Sequence, residues 1–262
     1  MTSAPIHVRV PYERIGEHLE LIRSRRMDLE VYLDAGALDA ISPSDILRLR
    51  EALDYGPSII VHGPFMDLSA GAVDPRARAL AEERFLMAVE LAAPLGPRTF
   101  VFHSGYEKWR YDHNPEPWLE ASLRSWPPVI EAASRVGALV AVENIFEDEP
   151  GTLRLLMEEL GPPKNQGFGL CFDSGHFNLF SKVSLEDWIE GLAPHIIHLH
   201  LHDNDGTRDS HLPVGDGSFD FRGLFSSLSR SGQRPTLTVE NQSPEAVLLS
   251  IRRIMDYERL SS

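Results

Sequence analysis

The chain has 262 residues, of which 42% are hydrophobic and 24% are charged, a composition that excludes an intrinsically disordered protein. It carries 25 Lys plus Arg against 39 Asp plus Glu, so its formal net charge at pH 7 is -14. This acidic balance disfavours nonspecific attraction to nucleic acid or to an anionic membrane surface.

Eight short runs of β-branched or apolar residues predict strands. In chain order they are IHVRV (6–10), LEVYLD (29–34), SIIVHGPF (58–65), TFVFHSG (99–105), LVAVEN (139–144), GFGLCFD (167–173), IIHLHLHD (196–203) and TLTVEN (236–241). Longer stretches with helical periodicity lie between or after them, at 75–96, 117–137, 184–193, 220–232 and 243–260. Eight strand-helix units predict an α/β fold, a (β/α)8 TIM barrel, as a single domain over residues 1–262.

An open doubly wound sheet is the alternative architecture for alternating strands and helices. Its Gly-rich dinucleotide fingerprint would follow the first strand. VPYERIG stands there instead, which favours the closed barrel.

The seventh predicted strand alternates apolar residues with histidines. Its sequence, IIHLHLH, places His198, His200 and His202 on one face, because successive side chains of a strand point to opposite sides. Histidine is a common metal ligand, although a polar outer face that ends in a turn at 203–206 would give the same pattern. We interpret His198 as lying a layer deeper than His200, in a core or supporting role.

Ligand-type residues end six successive predicted strands. They are His62, His103, Glu143, Asp173 with His176 just after it, His200 and Glu240, and the loop after the seventh strand adds Asp209 and His211. One such residue alone is more often a hydrogen-bonded loop residue, but barrel active sites lie at this end of the strands. Imidazoles and carboxylates buried together need cations. This mixture suits zinc best, and also manganese or iron.

The same residues lie in motifs that resemble those of a known superfamily. The motifs are HGPF, FHSG, VENI, CFDSGH, HLHDNDGTRDSHLPVGDG and VEN, and they run from His62 to Glu240. This ordered set resembles the xylose-isomerase-like TIM barrels, which include endonuclease IV of the AP endonuclease family 2 and sugar phosphate isomerases and epimerases. It covers nearly the whole chain and indicates the superfamily more strongly than the substrate.

The resemblance implies two ligand sets. Similarity to the isomerases and epimerases implies one metal on Glu143, Asp173, His200 and Glu240. In those enzymes the two glutamates also exchange substrate protons, which implies catalytic roles for Glu143 and Glu240. Similarity to endonuclease IV implies three metals, held by His62, His103 and Glu143, by Glu143, Asp173, His200 and Glu240, and by His176, Asp209 and His211. Such clusters hydrolyse phosphoesters.

The chain departs from endonuclease IV in its loops, which read FHSGYEKW, VENIFEDEP and HLHDNDG. It has no basic strip for a duplex backbone, so we expect a small-molecule substrate rather than DNA. Lys108, Trp109 and Arg110 could hold a phosphate and stack a planar group, or form a solvated loop. His202 is a further candidate for substrate contact.

The compartment is predicted from cysteine usage and from the absence of apolar segments. Cys171 is the only cysteine and cannot form an intramolecular disulfide, which favours a reducing compartment. No apolar run of about 18 residues occurs, and MTSAPIHVRVP lacks the order of a secretion signal. We expect a cytoplasmic protein without membrane association.

The sequence therefore predicts a divalent-metal-dependent barrel enzyme with one to three ions per chain. Retention of the full set of nine ligands favours a phosphoester hydrolase that acts on a small phosphorylated or nucleotide-like molecule. The alternatives are a sugar or sugar phosphate isomerase or epimerase, with one metal and two glutamates, and a metal-binding barrel without catalysis. The sequence specifies neither the substrate nor the oligomeric state.

Overall fold

Eight parallel strands close into a barrel in the structure, a computed structural model that describes residues 5–161 and 166–260. The strands are β1 (Ile6–Pro11), β2 (Asp28–Tyr32), β3 (Ile59–His62), β4 (Thr99–His103), β5 (Leu139–Glu143), β6 (Phe168–Asp173), β7 (Ile196–Leu201) and β8 (Thr236–Val239). Each strand pairs with its neighbour in sequence, and β1 pairs with β8 to close the ring. This confirms the predicted (β/α)8 TIM barrel.

Helices surround the barrel. They are α1 (Ile15–Arg25), α2 (Ala35–Ala40), α3 (Pro43–Ala52), α4 (Pro75–Ala92), α5 (Glu116–Arg135), α6 (Gly151–Leu160), α7 (Ser174–Phe180), α8 (Leu185–Leu192), α9 (Phe221–Ser231) and α10 (Pro244–Leu260). The five helical stretches predicted from the sequence are confirmed as α4, α5, α8, α9 and α10, with small shifts at their ends. Among the described residues, no helix is both long and apolar enough to cross a bilayer.

Large aromatic side chains hold the helices against the outer face of the barrel. Trp118 and Trp126 on α5 and Trp188 on α8 are buried, and Trp126 stacks on Phe85 of α4 with ring centroids 5.5 Å apart. Burial of one large apolar side chain stabilises the fold by roughly 1.5–3 kcal/mol. This layer therefore gives the strand ends a rigid support.

The barrel interior is divided into an apolar half and a polar half. The inward side chains of β3 to β6 form a small apolar cluster of Ile60, Val101, Ala141 and Cys171. On β7, β8, β1 and β2 the corresponding positions are polar and fully buried: His198, Thr238, His7 and Glu30. Barrel interiors are usually filled by branched apolar side chains. The polar half must therefore find its hydrogen bonds inside the barrel, and it lies directly beneath the carboxyl end of the strands.

A buried aspartate organises the long loop between β7 and α9. Asp203 Oδ2 accepts hydrogen bonds from the backbone N–H groups of Gly215 at 3.0 Å and Gly217 at 2.9 Å, and its Oδ1 accepts one from Phe219 at 3.1 Å. Asp203 also forms an isolated antiparallel bridge with Leu212. These bonds fix the loop that carries the predicted ligands of the third metal.

Candidate metal centre

The nine predicted ligands meet at the carboxyl end of the barrel. A cleft of about 450 Å³ opens there, and seven of the nine line it: His62, His103, Glu143, His176, Asp209, His211 and Glu240. Asp173 and His200 lie beneath the cleft and are fully buried. The closed barrel thus brings together residues that are up to 178 positions apart in the chain, from His62 to Glu240 (240 − 62).

Glu143 lies at the centre of the cluster. Its Oε2 is 3.1 Å from His62 Nε2, 3.6 Å from His103 Nε2 and 3.3 Å from His200 Nδ1, and its Oε1 is 3.0 Å from His176 Nδ1. The ligand-type atoms of His62, His103 and Glu143 lie within 4.8 Å of one another. They match the first metal-binding group implied by the resemblance to endonuclease IV.

His200 is the centre of a second group. Its Nδ1 lies 3.2 Å from Glu240 Oε1, 3.3 Å from Glu143 Oε2 and 3.7 Å from Asp173 Oδ2. Both His200 Nδ1 and Glu240 Oε1 are buried and have no hydrogen-bond partner among the described residues. Buried polar atoms without partners are costly, and three carboxylates around one imidazole form a donor set that a divalent cation would satisfy.

A third group lies nearer the surface. Asp209 Oδ2 is 3.0 Å from His211 Nε2 and 3.6 Å from His176 Nε2, as the resemblance to endonuclease IV implied. His202 joins these residues, because its ring stacks on His211 with centroids 3.9 Å apart and its Nε2 lies 3.1 Å from Asp173 Oδ2. His202 is fully buried, so the structure places it among the ligand-type groups and not at the cleft surface.

Backbone carbonyls fix the ring nitrogens of three candidate ligands. His62 Nδ1 donates to the Gly63 carbonyl at 2.8 Å, and His211 Nδ1 donates to the Glu240 carbonyl at 2.6 Å. His176 Nδ1 donates to the Asn144 carbonyl at 3.0 Å. In each case Nε2 is left to face the carboxylates. Metal-binding histidines are commonly oriented in this way.

His200 is held from below by a carboxylate that was not predicted from the sequence. Glu30 Oε2 accepts from His200 Nε2 at 3.2 Å, and the same oxygen lies 3.1 Å from His198 Nε2. Thr238 Oγ1 also donates to Glu30, at 2.6 Å. The one signal in the sequence is a charged residue inside the apolar run LEVYL. His198 thus has the supporting position expected for it.

The sequence of the chain matches a known family along most of its length. A family model described as xylose isomerase-like TIM barrel matches residues 28–257. The chain belongs to the xylose isomerase-like TIM barrel family. Uncharacterized protein MJ1311 of Methanocaldococcus jannaschii is 28% identical to it over 222 residues, which are 83% of this chain and 76% of that protein. The predicted superfamily is therefore confirmed.

Two solved structures are similar to this xylose isomerase-like barrel over nearly its full length. A D-tagatose 3-epimerase-like protein is 25% identical, with a TM-score of 0.83 and 98% of each chain covered. The TTHB071 protein from Thermus thermophilus, in a structure described as soaked with ZnCl2, is 27% identical. Its TM-score is 0.81, and the match covers 98% of this chain and 99% of that one.

The predicted basic and aromatic cluster lies mostly outside the cleft. Lys108 forms an ion pair with Asp148, and Trp109 is 61% exposed. Arg110 does line the cleft, but its Nη2 lies 2.9 Å from Glu107 Oε1. Arg110 is thus the one member of this predicted cluster that faces the site.

The charges of the imidazoles differ across the centre. Burial lowers the pKa of His103 well below its usual value, which keeps this ring neutral. Burial also opposes a charge on His176 and His211, but neighbouring carboxylates outweigh it. The pKa of His176 is raised well above its usual value, with Asp173 as the strongest of these neighbours, and Asp209 and Glu240 raise the pKa of His211 to about 9.

Zinc affinity at His211 is expected to rise with pH. In the metal-free protein this imidazole keeps its proton up to a pKa of about 9, and the proton must leave before Nε2 can bind a metal. One displaced proton makes the affinity rise about tenfold per pH unit below that value. Zinc titrations against a competing chelator, at pH values on both sides of neutrality, measure this slope. A zinc affinity that stays constant with pH would contradict the role of His211 as a ligand.

The stability of the metal-free protein should change in the opposite direction. A histidine whose pKa is raised by folding stabilises the folded state fully below its unfolded pKa of 6.5, and this contribution is lost as the pH rises through about 9. Denaturant unfolding of the metal-free protein should therefore show stability falling over this window.

Proposed function

We propose that the protein is a divalent-metal-dependent enzyme that isomerises or epimerises a sugar or sugar phosphate. The observation that carries this proposal is the pair of glutamates around His200 Nδ1, with Glu143 Oε2 at 3.3 Å and Glu240 Oε1 at 3.2 Å. Both glutamates also line the cleft. The similarity to a D-tagatose 3-epimerase-like protein supports the same class of reaction.

Glu143, Asp173, His200 and Glu240 would hold the metal. Zinc suits their mixture of imidazole and carboxylate donors, and manganese or iron would also fit. When bound, the metal supplies Lewis-acid polarisation of a substrate oxygen. We propose that the protein acts in the cytoplasm.

The two glutamates would carry the proton. One carboxylate removes a proton from the carbon beside the substrate carbonyl, and the electron pair moves onto the carbonyl oxygen. The other carboxylate, in its acid form, returns a proton to the opposite face of the same carbon for epimerisation. For isomerisation the proton goes to the former carbonyl carbon, and the hydroxyl proton on the first carbon moves to the former carbonyl oxygen. Burial of Glu143 raises its pKa, but His200 and His103 outweigh this effect and hold the pKa well below its usual value. Glu143 is therefore charged and able to act as the base.

The size of the cleft supports a small-molecule substrate. Its volume of about 450 Å³ lies within the range of roughly 300–1,000 Å³ typical of small-molecule pockets. Phe65, Phe146 and Phe180 form apolar parts of its wall. Such surfaces accommodate the C–H faces of a sugar more readily than the phosphates of a DNA duplex.

Phosphoester hydrolysis is the second candidate, and a specific observation favours it. His62, His103, His176, Asp209 and His211 all lie in contact with the same cluster, although a one-metal isomerase would not require them as ligands. Together with the four ligands of the isomerase site, they would hold up to three ions. Clusters of that kind activate water for attack on a phosphorus atom.

Metal content and substrate panels test the two candidates directly. About one metal per chain with turnover of ketoses, aldoses or their phosphates would support isomerisation, and about three with turnover of generic phosphoesters would support hydrolysis. Zinc and manganese should be supplied separately in both panels. Bound metal without turnover in either panel would indicate a barrel that binds metal but does not catalyse.

His211→Ala distinguishes the reactions by activity. This variant removes a ligand of the third group but leaves His200 and the three carboxylates around it, so isomerase activity should fall by less than about tenfold. Phosphoester hydrolysis should fall by at least about a hundredfold, because the third metal would be lost. Full phosphoesterase activity in a folded His211→Ala protein would exclude the three-metal mechanism.

A further inference from the structure

One cation of the cleft has no role in the proposed proton transfer. Arg9 lies on β1, where Val8 and Val10 are buried against the outer layer, so alternation directs Arg9 to the interior. Its side chain is 23% exposed and lines the cleft beside Glu240. Its position on the innermost surface of the site makes it a candidate to contact the substrate.

The guanidinium of Arg9 has an unpaired hydrogen-bond donor. Its Nε is buried and has no hydrogen-bond partner among the described residues. The nearest carboxylate oxygen recorded for it, Glu240 Oε1, is 3.5 Å from Nε, beyond the usual range of about 2.7–3.2 Å. A guanidinium carries five donors and is always charged, so an unpaired one is costly unless a ligand completes it.

An aromatic ring holds this guanidinium in place. The Cζ atom of Arg9 lies 4.8 Å from the centroid of the Tyr32 ring. Stacking of this kind restrains the plane of the group and leaves its edge free for a bidentate anion. The side chain is therefore ordered before a ligand arrives, which lowers the entropic cost of binding.

The other cations near the cleft are already paired. Arg110 is paired with Glu107 at 2.9 Å and has 60% of its side chain exposed, and Lys108 is paired with Asp148. Glu240 also faces His200 Nδ1 at 3.2 Å, so its charge is committed to the metal group. Among the described Lys and Arg side chains at the cleft, Arg9 is the one whose nearest carboxylate oxygen, at 3.5 Å, lies beyond hydrogen-bond distance, so its donors remain available to a ligand.

We propose that Arg9 binds an oxyanion group of the substrate, a phosphate or a carboxylate, next to Glu240. The proposal rests on the proposed function and narrows its substrate to an anionic sugar derivative. In a ring of eight strands β5 lies opposite β1, so Phe146, which follows β5, lies across the cleft from Arg9. The oxyanion would thus occupy the β1 side, and the body of the substrate would extend towards the aromatic wall.

Binding of simple anions tests this role. Methylphosphonate and acetate are titrated calorimetrically into zinc-loaded wild-type protein, Arg9→Gln, Arg9→Lys and Arg110→Gln, and the zinc content of each sample is measured. We expect Arg9→Gln to weaken binding of at least one anion by about tenfold or more at unchanged zinc content, with Arg9→Lys intermediate. Arg110→Gln, the matched control on the same cleft, should change the affinity for either anion by less than about threefold. The anion with the larger effect identifies phosphate or carboxylate as the recognised group.

Two results would overturn the proposal. One is equal affinity of Arg9→Gln and wild type for both anions, including the case in which neither protein binds them. The other is a larger loss in Arg110→Gln than in Arg9→Gln. If wild-type protein takes up no zinc, the proposed function fails, and the same comparison on the zinc-free protein still decides whether Arg9 binds an oxyanion.

Discussion

Glu143→Gln is expected to reduce turnover by at least about a thousandfold, whichever of the two candidate reactions the enzyme catalyses. The carboxylate contacts imidazoles from four different elements: His62, His103, His176 and His200. Glutamine keeps the volume of the side chain but removes its charge and turns one acceptor into a donor that faces imidazole nitrogens. The variant should therefore also lose bound metal.

The measurement pairs steady-state kinetics with metal analysis of the same preparation. Glu131→Gln is a suitable control, since Glu131 lies on α5 and is 73% exposed in an ion pair with Arg135. That variant should retain full activity and full metal content. Wild-type activity in a folded Glu143→Gln protein would remove the metal mechanism altogether, because this residue belongs to two of the three ligand groups.

The strands were predicted well from local pattern, but their ends were not. The predicted third, fourth and fifth strands run past the ends of β3, β4 and β5 at His62, His103 and Glu143. In each case the next backbone N–H still bonds to the following strand, as in Gly63 to Val101 at 2.9 Å and Ser104 to Glu143 at 3.2 Å. The backbone leaves the hydrogen-bonded ladder of the sheet gradually, so no residue in the sequence marks the end of the strand.

The ligands at the strand ends could be predicted because parallel strands of a barrel place their carboxyl ends on one rim. Glu30 and Arg9 could not be predicted in this way. The hydrogen-bond partners of Glu30 on β7 and β8 are 168 to 208 residues away, and only closure of the ring brings those strands to β2. A contact of that kind leaves no local periodicity to detect.

The third ligand group shows a different limit of prediction from the sequence. Asp209 and His211 were placed at the rim from their loop, but the loop geometry depends on the buried carboxylate of Asp203 and its bonds to Gly215 and Gly217. His211 itself adopts a left-handed conformation with φ of 47°, which is uncommon outside glycine, asparagine and aspartate. The stacking of His202 on His211 follows from this geometry and could not be inferred from strand alternation.

Glu30→Gln is expected to weaken metal binding by about 10-fold to 100-fold, even though Glu30 is not one of the nine predicted ligands. Burial raises the pKa of Glu30, but His200 and His198 outweigh it and hold the pKa well below its usual value, so the carboxylate is charged. Its Oε2 accepts from His200 Nε2 at 3.2 Å, so Nδ1 is the nitrogen of that ring that is turned to the metal group. The amide of glutamine offers one acceptor in place of two, so one imidazole beneath the site must change its tautomer or lose its partner.

Thr238→Val is the matched control for this positioning role. It removes the hydroxyl that donates to Glu30 at 2.6 Å but leaves the carboxylate and both imidazoles. Glu30→Gln and Thr238→Val should each destabilise folding by about 1–3 kcal/mol, because each leaves a buried polar group without a partner. Only Glu30→Gln should also reduce zinc affinity in chelator competition and alter the visible absorption of the cobalt-substituted protein.

The difference between the two variants separates orientation from stability. If Glu30 only filled the polar half of the barrel, both substitutions would lower the unfolding free energy and neither would change metal affinity in the folded protein. Equal zinc affinities for Glu30→Gln and Thr238→Val would therefore contradict the positioning role, however large the loss of stability. A selective loss in Glu30→Gln would mean that the polar interior of this barrel orients His200, and that this orientation sets the strength of the metal site.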